Sequence, residues 1–188
     1  MTQKRVTIEL VMLASANDIY VGQSIHGKKH GVGTMYYETG TIHICNWVDD
    51  YAHGYGICKM VNGNEYVGQW RNNQFHGRRN EIHYSNGDYY KGEVIRGAIS
   101  GNGKMIYADG KQYNGQWKNG LWEGHGELIY SNKETYSGNF MNGQRDAYGE
   151  YTWINGNTYS GDWKNDEIYD GILYDKKHGI IKQSVWGY

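Results

Sequence analysis

Five residues, Tyr113-Asn114-Gly115-Gln116-Trp117, constrain this chain most, because their pattern returns at a fixed interval. Tyr66-Val-Gly68-Gln-Trp70, Tyr136-Ser-Gly138-Asn-Phe140 and Tyr159-Ser-Gly161-Asp-Trp163 repeat it. The steps from Tyr113 to Tyr136 and from Tyr136 to Tyr159 are both 23 residues. A constant period of that size marks a tandem-repeat protein. Each unit packs mainly on its neighbours, and the product is an extended surface rather than a closed pocket.

With the leading Tyr as position zero, that column reads Tyr20, His43, Tyr66, Tyr90, Tyr113, Tyr136, Tyr159 and Lys182. One step is irregular: Tyr66 to Tyr90 is 24 residues. Two residues on stand Gly22, Cys45, Gly68, Gly92, Gly115, Gly138 and Gly161; four on stand Ser24, Trp47, Trp70, Val94, Trp117, Phe140 and Trp163. A second pair follows, as in Gly31/Gly33, Gly54/Gly56, Gly101/Gly103 and Gly124/Gly126. Units close on Thr39-Gly40, Asn62-Gly63, Asn86-Gly87, Asp109-Gly110 and Asn155-Gly156.

Each unit reads as a β-hairpin. Side chains alternate along a strand, so positions 0, 2 and 4 of Tyr-x-Gly-x-Trp share one face, with Gly between two aromatics. Gly in a strand marks a close approach, and an aromatic ring lying over the vacant spot is the natural occupant. Asn-Gly and Asp-Gly suit tight hairpin turns in which both central residues take positive φ. The chain has no Pro, which fits a long ladder that needs every N–H. The reading is all-β: an elongated, single-layer, twisted antiparallel sheet of tandem hairpins. At ~10 Å per hairpin, seven units span on the order of 70 Å. Residues 1–19 are expected to form a degenerate capping strand, 20–181 seven repeats, and 182–188 a partial eighth.

These motifs resemble the MORN (membrane occupation and recognition nexus) repeat: Tyr-x-Gly-x-Trp, a short turn, His-Gly-x-Gly, then an apolar stretch ending in Asp-Gly or Asn-Gly. The resemblance runs from Tyr20 to Gly179. It implies a scaffold without activity of its own, cytoplasmic, in a cytoskeletal, ciliary or membrane-peripheral assembly. It also implies two other readings, a phospholipid-associated adaptor and a targeting or regulatory subunit of an enzyme.

Composition narrows these. The 19 basic and 20 acidic residues are interspersed, for a net charge of −1. No basic stripe marks a nucleic-acid partner, and the same lack weakens an anionic-lipid reading, leaving at most weak phospholipid contact. The apolar run Val6–Leu13 is short and broken by Thr7 and Glu9, so it reads as a strand rather than a signal segment. No run reaches the ~20 apolar residues of a membrane span.

No catalytic or cofactor site emerges. His30, His53 and His76 share one column, but hairpins ~10 Å apart cannot share a zinc with bonds near ~2 Å. That column continues as Ser100, Glu123 and Asp146, a polar ladder suited to capping backbone groups. The Gly-x-Gly segments lack the following helix that a phosphate loop requires. Cys45 and Cys58 read as reduced, buried thiols.

What remains is a surface. The aromatic columns are expected to line a groove for a protein partner, with an amphipathic helix as one occupant. Its candidates are Tyr66, Trp70, Tyr113, Trp117, Tyr136, Phe140, Tyr159 and Trp163. Val185 and Trp186 are expected on an open strand edge, where a homodimer would form. The third unit carries the extra residue, and Gly77-Arg78-Arg79-Asn80 replaces Gly-x-Gly there. A bulge is expected at that point.

Overall fold

The computed structural model describes residues 7–177 and 179–183. They form an antiparallel sheet of 17 strands with no helix. The expectation for Val185 and Trp186 lies outside the described residues.

The chain divides into two compact units. The first runs to Gly87 and includes Val94–Gly97. It holds β1 (Glu9–Ser15), β2 (Asp18–Ile25), β3 (Lys28–Tyr36), β4 (Ile42–Val48), β5 (Tyr51–Lys59), β6 (Glu65–Arg71), β7 (Gln74–Phe75) and β8 (Gly77–His83). The second comprises Asp88–Glu93 and the chain from Ala98. Strand β9 (Tyr89–Ile95) contributes to both units. The second unit then continues through β10 (Ala98–Ile106), β11 (Gln112–Lys118), β12 (Leu121–Ile129), β13 (Thr135–Met141), β14 (Gln144–Thr152), β15 (Thr158–Lys164), β16 (Glu167–Tyr174) and β17 (Ile180–Gln183).

Within each unit, successive strands pair in register. Tyr20 faces Met35, Tyr113 faces Leu128 and Tyr136 faces Tyr151. Gly103, Gly115, Gly126, Gly138, Gly149 and Gly161 face one another in turn along β10 to β15. They make a continuous glycine ladder through the middle of the sheet.

The turns differ from the sequence expectation. The two-residue turn with both φ positive lies after the Trp column: Asn119-Gly120 (50° and 83°) and Asn165-Asp166 (50° and 69°) are examples. In the turn that ends a repeat only one residue is left-handed, a Gly or, in one repeat, Lys133; Gly110, at 86°, is an example, and its N–H donates to the Tyr107 carbonyl at 2.9 Å. That longer loop has a four-residue turn capped by one left-handed residue, so its Asn or Asp needs no positive φ.

A bulge also belongs to the ordinary repeat rather than to the third unit alone. In β11 and β12, Gly115 faces Gly126 and Trp117 faces Trp122, so Gln116 stands opposite three residues. Gly124, within that bulge, has φ of 62°.

Both rims bind hairpin to hairpin. Asp50 Oδ1 accepts from Lys29 N–H at 2.9 Å, and Asp166 Oδ1 from Arg145 N–H at 2.9 Å. On the other rim Asn64 Oδ1 accepts from Ser85 N–H at 2.9 Å and Asp88 Oδ1 from Ala108 N–H at 2.8 Å. Two members of the polar ladder do the same: Ser100 Oγ accepts from Asn119 N–H at 3.2 Å and Glu123 Oε2 from Asn142 N–H at 3.1 Å.

Candidate partner-binding face

The eight aromatic residues expected to form an open groove are the core of the sheet. Tyr66, Tyr113, Tyr136 and Tyr159 are 0–1% exposed, and Trp70, Trp117, Phe140 and Trp163 are 3–5% exposed. The idea that a single layer leaves these rings uncovered is therefore corrected: the chain covers them itself.

The glycines explain how. Tyr20, Tyr90, Tyr113, Tyr136 and Tyr159 each lie down across two of them instead of standing off the sheet. A Cβ on Gly126 would come within 2.5 Å of the Tyr113 hydroxyl and 2.7 Å of its ring; at Gly149 the ring of Tyr136 would be 2.5 Å away. The hydroxyl then reaches the backbone. Tyr113 donates to the Gln116 carbonyl at 2.8 Å and Tyr136 to that of Asn139 at 2.9 Å. Indoles anchor on the same ladder, since Trp117 Nε1 donates to Gly103 O at 3.0 Å and Trp163 Nε1 to Gly149 O at 3.2 Å. A buried aromatic with its polar tip satisfied contributes area without an orphaned donor. Burial pushes the Tyr113 and Tyr136 hydroxyls well above the ordinary tyrosine value. Tyr159 is pushed up to about 12 for the same reason.

Rings also lock neighbouring repeats together. Tyr136 meets Phe140 of its own repeat at 5.0 Å between centroids and Trp163 of the next at 5.4 Å, both edge-to-face. Tyr113 meets Trp117 at 5.0 Å and Phe140 at 5.2 Å in the same way.

A further column, unmarked in the sequence reading, forms the lid. Nine residues after the position-zero column (Tyr, or His43 in the second repeat) stand Lys29, Ala52, Phe75, Ile99, Trp122, Arg145 and Ile168. Cross-strand pairing sets Trp122 opposite Trp117, Arg145 opposite Phe140 and Ile168 opposite Trp163. Phe75 stacks on Tyr66 (3.9 Å, 18°) and Trp122 on Tyr113 (4.7 Å, 12°). Where the lid is cationic it sits on indole: Lys29 Nζ is 5.0 Å from the Trp47 ring centre, and Arg145 Cζ is 4.1 Å from that of Trp163. The period alone could have found this column. Its chemistry varies too much for a consensus to show it.

Among the openings beside the lid, two lie at equivalent repeat positions, one within each unit. A pocket of about 430 Å³ is lined by Arg145, Tyr151, Trp153, Trp163, Asp166, Glu167 and Ile168. The other, about 320 Å³, is lined by His43, Trp70, Asn73, Gln74, Phe75, Arg96 and Gly97. Trp70 and Trp163, Asn73 and Asp166, Gln74 and Glu167, and Phe75 and Ile168 occupy matching places. In the larger pocket Arg145 Nε donates to Asp166 Oδ1 at 3.0 Å, and an Nη donates to the Asp166 carbonyl at 2.8 Å. The Tyr151 hydroxyl donates to Glu134. In the smaller one, desolvation lowers the His43 pKa to about 4.

The extra residue of the third unit is absorbed by Asn80, which is fully buried where a ladder glycine belongs. Its Oδ1 accepts from the Tyr66 hydroxyl at 2.7 Å and from Gln69 N–H at 2.9 Å, and its Nδ2 donates to the Gly77 carbonyl at 2.6 Å. Cys45 and Cys58 are free and buried, and burial pushes their thiols up to about 12 and about 11. Among the described residues no His, Cys, Asp or Glu cluster is placed to hold a metal, and no helix is long and apolar enough to cross a membrane.

A family model for the MORN repeat matches residues 20–42, 46–65, 66–78, 90–112, 113–135, 136–158 and 159–168, well over half of the chain. The chain is a MORN-repeat protein. No curated protein matches it. Among solved structures, this MORN-repeat protein aligns with the TCP domain of SAS-4 (dCPAP) from Drosophila melanogaster, whose structure is a complex with a proline-rich motif of Ana2 (dSTIL). The TM-score is 0.51 at 10% identity, over 79% of this chain and 81% of that one. The wild-type TCP10 domain of Danio rerio CPAP, in complex with a STIL peptide, aligns at 0.43 and 11% identity, over 91% of this chain and 80% of that one. At such identities the SAS-4 likeness is one of fold.

Proposed function

We propose that this MORN-repeat protein is a non-enzymatic scaffold that holds an extended, proline-rich segment of a protein partner across its ring face. The partner belongs to a larger assembly of cytoskeletal, ciliary or membrane-peripheral kind. The observation that carries the reading is the aromatic pocket beside Arg145, where Tyr151, Trp153 and Trp163 meet on a single face.

Three considerations support an extended occupant. Aromatic-lined grooves recognise polyproline II segments, whose conformation is already fixed before binding. One turn of that helix advances about 9 Å, close to the ~10 Å from hairpin to hairpin, so every third residue returns to the same repeat position. An amphipathic helix about 10–12 Å wide asks for a continuous apolar trough, and the ring columns that would line it are buried. The Drosophila TCP domain, solved with a proline-rich motif, has a related fold. It lends this reading an analogy.

The test is fluorescence anisotropy with labelled proline-rich peptides against the full chain. Trp153→Ala and Glu167→Ala should each weaken binding at least tenfold while circular dichroism stays unchanged. Half-buried Trp153 is a better probe than Trp117 or Trp163, whose removal would unmake the core. Undiminished binding by Trp153→Ala, or no binding of any proline-rich peptide by the wild-type chain, refutes the proposal.

A further inference from the structure

The outer face of the sheet is chemically divided. Opposite the rings, a cross-strand row in the first unit reads Met12, Val21, Thr34, Ile44, Ile57 and Val67. The same repeat positions in the second unit read Lys104, Asn114, Glu127, Ser137, Glu150 and Ser160. Strand geometry alone would serve both units with either chemistry. Contiguous exposed apolar patches of this kind mark interaction surfaces.

The row ends on β1, whose own side chains are apolar and exposed. Leu10 is 84% exposed and Met12 73% exposed. β1 is paired along one side, with β2, from Glu9 opposite Ser24 to Ser15 opposite Asp18. Among the described pairings no strand lies along its other side. An apolar strand with a free backbone edge is a template for another strand.

We propose that β1 pairs antiparallel with β1 of a second copy of this chain, across a two-fold axis at Met12. The sequence Glu9-Leu-Val-Met-Leu-Ala-Ser15 complements itself in that register. Leu10 faces the copy's Ala14, Val11 its Leu13 and Met12 its Met12, while Glu9 faces Ser15, so no like charges meet. The two-fold makes every contact occur twice. The two outer rows join through Met12 into one apolar band, and on the ring side Val11 and Leu13 of the two copies close over each other beside Tyr20.

Sedimentation equilibrium of the full chain tests this. The wild-type chain should show a concentration-dependent monomer–dimer equilibrium. Met12→Lys sets two ammonium groups against each other at the axis and should give monomer. Mixing Met12→Lys with Met12→Glu in equal amounts should restore the dimer. Residues directly opposite in an antiparallel pair lie about 4.5–5.5 Å apart at Cα, within disulfide reach. Met12→Cys should therefore oxidise to a covalent dimer far faster than Val48→Cys, an exposed control. A wild-type chain that stays monomeric at all concentrations overturns the proposal; this is what a leading segment of the same chain folded over β1 would give. A dimer unaffected by Met12→Lys, or equal oxidation of the two cysteine variants, also overturns it.

Discussion

Trp122 lies parallel on Tyr113, with ring centroids 4.7 Å apart and 12° between the planes. This contact seals a column ring that a single-layer sheet would otherwise leave wet. Trp122→Ala removes a lid from a fully buried Tyr, and should cost about 2–4 kcal/mol in chemical denaturation. Met141→Ala, at an exposed position, should cost far less.

The glycine ladder separates steric from conformational demand. Gly126→Ala puts a methyl into the Tyr113 ring, and overpacking of this kind costs about 1–3 kcal/mol. Near-ultraviolet circular dichroism should also change as the ring is expelled. Gly120→Ala meets no atom within 4 Å but has φ of 83°. It should cost about 1 kcal/mol with the aromatic spectrum intact. Lys133 holds φ of 75° where other repeats carry Gly, so Lys133→Gly should raise the melting temperature.

Asn80 makes a sharper test. Asn80→Leu would leave Gln69 N–H without its acceptor in a buried site, while the Tyr66 hydroxyl keeps the Gln69 carbonyl at 2.6 Å, at about 1–3 kcal/mol. Deleting Arg79 in combination with Asn80→Gly restores the 23-residue period and a ladder glycine. That double variant should recover most of the loss in the same denaturation experiment.

Acid should loosen the two units in separable steps, the first unit before the second. His43 is held neutral down to about 4 by burial, below its ordinary value of about 6.5. The unfolded chain therefore takes up the proton first, and stability falls as pH drops from about 6.5 towards 4. His43→Tyr, the residue of the other repeats, should flatten that interval. The second unit has its own device: Glu134 is held below the ordinary carboxylate range, chiefly by the Tyr151 hydroxyl. Its contribution is complete above that range and disappears as pH falls through its lowered value, so Glu134→Gln should blunt only the later, more acidic loss. Thermal melts across pH 3–8 would resolve both.

Much of the fold was legible because the repeat imposes its own register. The Tyr, Gly and Trp columns placed the hairpins and the shared face, and the family model agrees with them. Three things escaped. The doubly left-handed conformation of the short turn after the Trp column escaped because His26-Gly27, Asp49-Asp50 and Asn119-Gly120 share it without a consensus. The lid column was missed for the same reason, since Lys29, Phe75, Trp122 and Arg145 perform one task with four chemistries. Burial of the rings was misjudged because a pattern of alternating side chains says which face a Tyr occupies, not that it lies flat over two glycines. The site proposed above accordingly lies beside the regularly repeated rings, at half-buried residues such as Trp153.

The rim bonds that tie Asp50 to Lys29 and Asp166 to Arg145 each span 21 residues. Every hairpin finishes the polar accounts of the one before it. Genes of this architecture can thus gain or shed whole modules at little cost, because each new neighbour offers the same acceptor at the same height. A single added residue has no such freedom: it falls out of step with both rims, and in the third repeat a buried amide has to take it up.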